Sequence, residues 1–119
     1  MPIPPNSKSP EPDRIRSFPR RWGWCDTRLM ESGTLAAMTG DEAILYLALL
    51  CVSDRQGLSW WRDDTLGRRI GLSETAFQEA KRRVLEKQMV AFRPFCAGGR
   101  HGVWQVLDLP QVSASEHRS

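Results

Sequence analysis

The clearest periodic pattern of apolar and polar positions lies between residues 62 and 88 and predicts two short helices. Leu66 and Ile70 are one helical turn apart, so the first helix has one apolar side. In the second helix, one side is formed by positions at about 3.6-residue spacing: Phe77, Ala80, Val84 and Gln88. The opposite side is polar and consists of Thr75, Gln78, Glu79, Arg82 and Glu86.

A tight turn separates the two helices. Gly71 ends the first one, because glycine reaches the left-handed conformation that a helix exit requires. Ser73 follows as the candidate N-cap of the second helix. Two crossing helices joined by a short turn that contains glycine form a helix-turn-helix, an arrangement typical of DNA-reading proteins.

Further helices are predicted before this pair. Residues 26–33 form a short helix, and Thr39 with Glu42 forms the capping box that opens the next one. Residues 43–52 are apolar at every position, so this helix must be covered on most sides. We expect it to be the central helix of the domain, with a contact to a partner subunit as the alternative.

Short β-prone segments flank the helix pair. Residues 58–61 predict a small strand. Residues 89–95 and 103–109 predict two strands joined by a glycine-rich, basic loop over about 96–102. This hairpin directly follows the second helix, at about 74–88. The expected fold class is therefore mainly α with a small β-hairpin, an α+β fold.

Proline and charge divide the chain into three parts. Residues 1–22 hold six of the eight prolines and a net charge of +3, which predicts a disordered basic arm. Residues 23–110 form the predicted domain and 111–119 a flexible tail. The net charge is −3 over residues 23–61 and +4 over 62–103, where nine basic residues face five acidic ones. Basic charge thus lies on the arm and the helix pair, as a phosphate-facing surface requires.

The order of elements resembles a winged helix-turn-helix domain. The resemblance lies in L-Y-L-A-L-L-C-V-S-D-R-Q-G (45–57), T-L-G-R-R-I-G-L-S-E-T-A-F (65–77) and A-K-R-R-V-L-E-K-Q-M-V (80–90). These segments are similar to winged-helix proteins of plasmids, phages and integrative elements, including replication-initiator-type domains. The resemblance implies a double-stranded DNA partner, a cytoplasmic location that becomes nucleoid-associated on binding, and regulation of transcription or replication.

A domain of this kind would read DNA with the second helix in the major groove. Gln78 would contact adenine, Arg82 guanine or a phosphate, and Glu79 cytosine N4. Thr75 would contact a thymine methyl or a phosphate, and Ser73 would help hold a phosphate at the helix start. The candidate backbone contacts are Arg68, Arg69, Arg83 and Lys87.

Two further regions are candidates for DNA contact. Arg100, with His101, would enter the adjacent minor groove from the hairpin loop. Arg20 and Arg21 end the basic arm and would follow a groove or phosphate track. The alternative for every basic residue is a solvated face. For the arm, the alternative is that the neighbouring tryptophans pack on the domain while the arginines are solvated.

No catalytic or metal site is predicted. Cys25, Cys51 and Cys96 are widely spaced without a CxxC pair, which favours reduced thiols, and Cys96 with His101 does not make a zinc site. There is no phosphate-binding glycine loop of the P-loop or dinucleotide-binding type. We expect no enzyme activity and no cofactor. No apolar run approaches the roughly 20 residues of a membrane span.

Two functions remain open. The first is a sequence-specific DNA-binding regulator of a mobile element. The second is a protein-interaction module that docks on a replication, partition or transcription complex, favoured by the acidic segment 23–61 and by glutamates on the polar helix face. A homodimer would suit the first function, because two copies raise the specificity of a short site.

Overall fold

The computed structural model describes residues 10–14 and 25–108, which form four α-helices and three short strands. Pro12–Arg14 is a single 3-10 turn. The α-helices are α1 (Arg28–Glu31), α2 (Gly40–Val52), α3 (Asp63–Arg69) and α4 (Glu74–Glu86). The strands are β1 (Leu58–Ser59), β2 (Val90–Pro94) and β3 (Gly102–Val106). The predicted arm and tail lie largely outside the described residues.

The three strands form one antiparallel sheet with β3 in the middle, in the order β1-β3-β2. Val90 pairs with Val106 and Pro94 with Gly102, while Ser59 of β1 pairs with Trp104. We call the β2–β3 hairpin and its loop the wing. The elements follow one another along the chain as α2, β1, α3, α4, β2 and β3, and β1 pairs with β3. This order is that of a winged helix-turn-helix. The α+β fold class is confirmed.

The local signals for helix ends are confirmed. Thr39 Oγ1 accepts from the backbone N–H of Glu42 at 3.2 Å and caps α2. Ser73 Oγ accepts from the N–H of Ala76 at 3.1 Å and caps α4. Gly71 has a φ of +76°, so the turn between α3 and α4 uses the left-handed region. Each signal depends only on residues next to it in sequence.

The core lies where α2, α4 and the sheet meet. Trp104 of β3 is fully buried at the centre of this core. The rings of Phe77 and Phe92 pack edge-on against the Trp104 ring, at centroid distances of 6.5 and 5.0 Å. The other buried apolar side chains are Leu29, Leu45, Tyr46, Leu49, Leu66, Ala80, Val84, Met89 and Val90. The apolar side expected for α4 is therefore correct at its first three positions.

The sequence pattern is wrong for Gln88, which it assigns to the fourth position of the apolar side of α4. α4 ends at Glu86, and Gln88 is exposed with a φ of +60°. The N–H of Met89 donates to the carbonyl of Val84 at 3.2 Å, and that of Gln88 donates to Leu85 at 3.1 Å. These two bonds form a Schellman ending, which takes Gln88 out of the helix and buries Met89 against the core instead.

Gly67 is buried on the side of α3 that faces α4. A Cβ at this position would lie 3.2 Å from Cδ2 of Phe77, closer than ordinary van der Waals contact. A glycine in a helix weakens that helix by roughly 1 kcal/mol relative to alanine. Here it allows α3 to cross close to α4, so the helix-turn-helix gains tight packing in return.

α2 is covered less than its apolar sequence predicts. Leu45, Tyr46 and Leu49 are buried against α4 and the sheet. Ile44 and Leu47 remain 38% and 56% exposed, and Cys51 is also exposed. These three side chains follow one another at helical spacing, and we call them the α2 stripe. α2 is thus central to the domain on one side and has an apolar surface on the other.

A buried ion pair joins α3, α4 and β3. Lys81 Nζ donates to Asp63 Oδ2 at 2.6 Å, and Trp104 Nε1 donates to Asp63 Oδ1 at 3.0 Å. The ammonium also lies 3.5 Å from the centroid of the Phe92 ring. The side chains of Lys81 and Asp63 are only 10% and 4% exposed. We call these three hydrogen-bonded residues the Lys81–Asp63–Trp104 network.

The two adjacent carboxylates at the start of α3 have different roles. A carboxylate at this place can accept hydrogen bonds from the free N–H groups of the helix start. Asp64 does so, because its Oδ1 accepts from the N–H of Thr65 at 2.7 Å. Asp63 instead points into the core, where a lysine one helix away supplies its counter-charge.

A second buried carboxylate, Glu42, anchors the start of α2 to the end of α4. Its side chain is fully buried, accepts from the Thr39 hydroxyl at 3.0 Å and is paired with Lys87. Lys87 Nζ also donates to the carbonyl of Ala37 at 3.0 Å. Burial alone would raise the pKa of Glu42, but the hydrogen bonds from Lys87 and Thr39 hold it below its ordinary value.

Replacement of Lys81 by methionine should destabilise the fold by about 3–5 kcal/mol, because it leaves Asp63 buried without a counter-charge. Urea unfolding followed by tryptophan fluorescence measures the change. The double variant Lys81→Met, Asp63→Asn should recover much of the loss, since no charge remains and Trp104 keeps an acceptor. A single variant as stable as the original chain would contradict this role.

Glu42→Gln should lower the free energy of unfolding at neutral pH by about 1–3 kcal/mol, the usual contribution of hydrogen bonds to a charged group. Since the folded-state pKa of Glu42 is lowered, its stabilising effect is complete above the unfolded value of about 4.3 and is lost as the pH falls through the lower folded value. The difference between the two proteins should therefore shrink below about pH 4. Glu31→Gln, at an exposed carboxylate without a hydrogen bond in the described region, is the control. A difference that does not change with pH would show that Glu42 acts through packing alone.

Candidate nucleic-acid interface

The polar side of α4 faces outward, opposite the side that enters the core. Thr75, Glu79, Arg82 and Glu86 are exposed, and Gln78 is partly exposed. The orientation of this face is fixed by three buried residues on the other side, Phe77, Ala80 and Val84. The structure therefore brings together on one surface the helix residues that the sequence pattern selected.

Arg82 on this face is held by two glutamates. Its Nε and Nη2 donate to Glu79 at 3.2 and 2.5 Å, and its Nη1 donates to Glu86 Oε2 at 2.6 Å. The hydrogen bonds that Arg82 donates to Glu79 and Glu86 raise the pKa of Arg82, and those to Glu79 lower the pKa of Glu79. All of these groups are well exposed, so water and salt weaken the pairs, and a strong competing ligand can replace them.

The neighbouring basic residues of α4 also have internal partners. Arg83 Nε donates to Glu79 at 2.9 Å and lies 3.9 Å from the buried Glu42. Lys87, a candidate backbone contact in the sequence, is engaged with Glu42 and the carbonyl of Ala37. Lys87 thus has a structural role that the sequence did not reveal, while Arg83 stays exposed at the edge of the face.

The wing is tied to α4 by its loop. Arg100 Nη1 donates to Glu74 Oε2 at 2.9 Å, at the start of α4. The buried Lys81 Nζ lies 3.5 Å from the carbonyl oxygen of Arg100. The loop that would contact a second groove is therefore positioned by the same helix that carries the polar face.

Arg62 is a member of this surface that sequence reasoning missed. Its Nη2 lies 3.1 Å from His101 Nε2 in the wing loop, and its Nε donates to Asp64 at 3.2 Å. The hydrogen bond from Arg62 is the main reason why the pKa of Asp64 falls to about 2. Because Arg62 offers only donors, His101 Nε2 is the acceptor in this contact, while His101 Nδ1 is buried and has no hydrogen-bond partner in the described region.

Arg68 and Arg69 lie at the end of α3 and are both exposed. The guanidinium of Arg69 is 5.7 Å from the centroid of the Trp61 ring, a cation–π contact. Neither arginine forms an ion pair with another described residue. They are free to meet an external anion, in contrast to Arg82 and Arg100. Arg20 and Arg21 lie outside the described residues.

The charges of the α4 face and of the wing loop that contacts it are paired. Glu74, Glu79 and Glu86 each form an ion pair with an arginine, and these arginines are Arg82, Arg83 and Arg100. The excess of positive charge in residues 62–103 therefore comes from other residues, among them the exposed Arg68, Arg69 and Arg93. Such a surface favours directed hydrogen bonds over general attraction to phosphates.

Metal and membrane sites do not emerge from the described part of the chain. No cluster of three histidine, cysteine or carboxylate side chains there could hold a metal ion, and the three cysteines are free and exposed. Within residues 10–14 and 25–108, no helix has the length and apolar character needed to cross a membrane.

Comparison with known proteins gives a likeness of fold. A solved structure of a Rep-DNA complex contains a chain that is similar to this one, with a TM-score of 0.56 and 10% sequence identity. The likeness covers 83% of this chain and 84% of the other. No protein-family model matches the chain, and no curated protein is significantly similar in sequence. At 10% identity the likeness shows a shared fold alone.

Proposed function

We propose that this protein binds specific sites in double-stranded DNA and regulates transcription or replication of a mobile element. The observation that supports this most strongly is the polar face of α4, held rigidly by the core and bonded to the wing. We expect the chain to bind DNA without catalysing a reaction. The solved structure with the same fold is a Rep-DNA complex, which agrees with this assignment.

α4 would enter the major groove, which is wide enough for one helix. Thr75, Gln78, Glu79 and Arg82 are spaced so that each reaches the same groove from successive turns. Gln78 can make the paired amide contact to adenine and Arg82 the paired contact to guanine. The wing would then lie over the neighbouring minor groove, with Arg100 at its tip.

The phosphate contacts would come from groups beside this face. Arg68 and Arg69 have no acidic partner in the described region and can neutralise phosphates directly. The Ser73 hydroxyl already accepts from Ala76, so a phosphate at the start of α4 would bind to the remaining backbone N–H groups. Arg20 and Arg21 of the arm remain candidates for the same kind of contact.

The α2 stripe supports a homodimer. Ile44, Leu47 and Cys51 are exposed on a helix whose other side is in the core. Two copies of the chain would cover each other's stripe and place two α4 helices on a repeated or palindromic site. The same stripe is what would serve the alternative function, docking on a replication, partition or transcription protein.

The double variant Gln78→Ala, Arg82→Ala should lose specific DNA binding and keep the fold. Fluorescence anisotropy would compare duplexes from the region upstream of the gene with scrambled duplexes over a salt series. The original chain should prefer its target on the order of 10³-fold at physiological salt, and the variant should lose most of this preference.

The matched control is Gln56→Ala, Arg55→Ala, two exposed residues in the turn before β1. This turn contacts Val106 at the end of β3 that is remote from the wing loop. The control should bind like the original chain. Equal, salt-sensitive binding of the original chain to both kinds of duplex would contradict specific recognition and favour the interaction module.

Leu47→Glu should convert a dimer to a monomer, because it places a charge in the middle of the α2 stripe. Sedimentation equilibrium of the original chain and the variant measures the change in mass. Thr75→Glu adds the same charge on the α4 face and should leave the mass unchanged. A monomeric original chain would contradict the dimer and leave DNA binding to a single copy.

A further inference from the structure

The ion pairs on α4 limit which DNA groups Arg82 can bind. All three side-chain nitrogens of Arg82 donate to a carboxylate, two of them to Glu79 and one to Glu86. Arg82 is therefore not a free positive charge that waits for any phosphate. A DNA ligand must replace these hydrogen bonds and also accommodate the carboxylates that remain beside it.

A phosphate can replace the hydrogen-bond acceptors of Arg82, but it does not suit the carboxylates that remain beside it. It accepts hydrogen bonds from Arg82 but brings a like charge close to Glu79 and Glu86. The resulting repulsion acts at every position along a duplex, since phosphates are present at every position. Arg68 and Arg69, which have no carboxylate partner in the described region, remain the source of general attraction.

A guanine–cytosine pair offers acceptors for Arg82 and also a donor for a carboxylate beside it. In the major groove, O6 and N7 of guanine accept two hydrogen bonds from the fork of an arginine, and the N4 amino group of the paired cytosine donates to a carboxylate. An adenine–thymine pair has its donor between its two acceptors, so an arginine fork cannot bond to both acceptors at once. Arg82 and Glu79 already lie side by side, 2.5 Å apart, as such a pair requires.

We propose that Glu79 and Arg82 act together to select a guanine–cytosine pair in the major groove and to disfavour contact with phosphate alone. This inference rests on the proposed DNA binding and names one base pair of the target. Glu79 is thus a specificity-determining residue, and Glu86 keeps Arg82 extended along the helix until the pair is met.

The test uses Glu79→Gln, which keeps the shape of the side chain and removes its charge. Anisotropy on the scrambled duplex should show affinity raised by about tenfold at moderate salt, with the salt slope steeper by about 0.9, because one more phosphate becomes accessible. Affinity for the preferred upstream duplex should stay equal or fall. Glu31→Gln removes an exposed charge outside the α3–α4–wing region and should change neither affinity.

The second arm tests the base pair itself. In the preferred duplex, each guanine–cytosine pair is replaced in turn by adenine–thymine. The original chain should lose on the order of 10- to 100-fold in affinity at one of these pairs. Glu79→Gln should lose much less at that same pair, and no such difference should occur at the others.

Two outcomes separate the role of Glu79 from DNA binding itself. If the original chain prefers its duplex but Glu79→Gln leaves the preference and every base-pair effect unchanged, the role of Glu79 is overturned and DNA binding stands. If the original chain binds preferred and scrambled duplexes equally, the proposed function fails at that step and the inference fails with it.

Discussion

The buried Lys81–Asp63–Trp104 network is the constraint on which the rest of the structure depends. Moving two charges out of water is unfavourable, and only close pairing with full hydrogen bonding offsets it. Here Asp63 of α3 accepts from both Lys81 of α4 and Trp104 of β3. The chain can satisfy this carboxylate only when both helices and the sheet are assembled. The network therefore joins the helix-turn-helix to the wing and sets how the two are placed relative to each other.

The α4 face and the wing loop carry paired charges, and this pairing shapes their chemistry. Arg82 and Arg100 are paired with glutamates, while Arg68 and Arg69 are unpaired within the described region. In the proposed DNA complex, general attraction to a polyanion and directed contact with base edges would thus fall to different residues. The glutamates on the proposed DNA-facing side would take part in recognition, because they make phosphate a poor substitute for the matching base pair.

The sequence predicts what depends on neighbouring residues and misses what depends on distant ones. Thr39, Gly71 and Ser73 were identified because caps and turns are local, and the buried side of α4 followed from its spacing. The pairs Lys81–Asp63 and Lys87–Glu42 join residues 18 and 45 positions apart, and a lysine on a helix gives no sign of its partner. Arg62 and His101, which are also in contact, are 39 positions apart. Only the fold shows which arginines of the candidate site are already paired.

We propose that α4 and the wing form one DNA-binding surface. A direct measurement is an amide-resolved NMR titration of the labelled protein with its preferred upstream duplex. We predict shifts that concentrate on residues 73–82 and on Arg100 of the wing loop, with little change at Ile44 and Leu47 of the α2 stripe. Shifts confined to α2, with α4 and the wing unaffected, would contradict this claim.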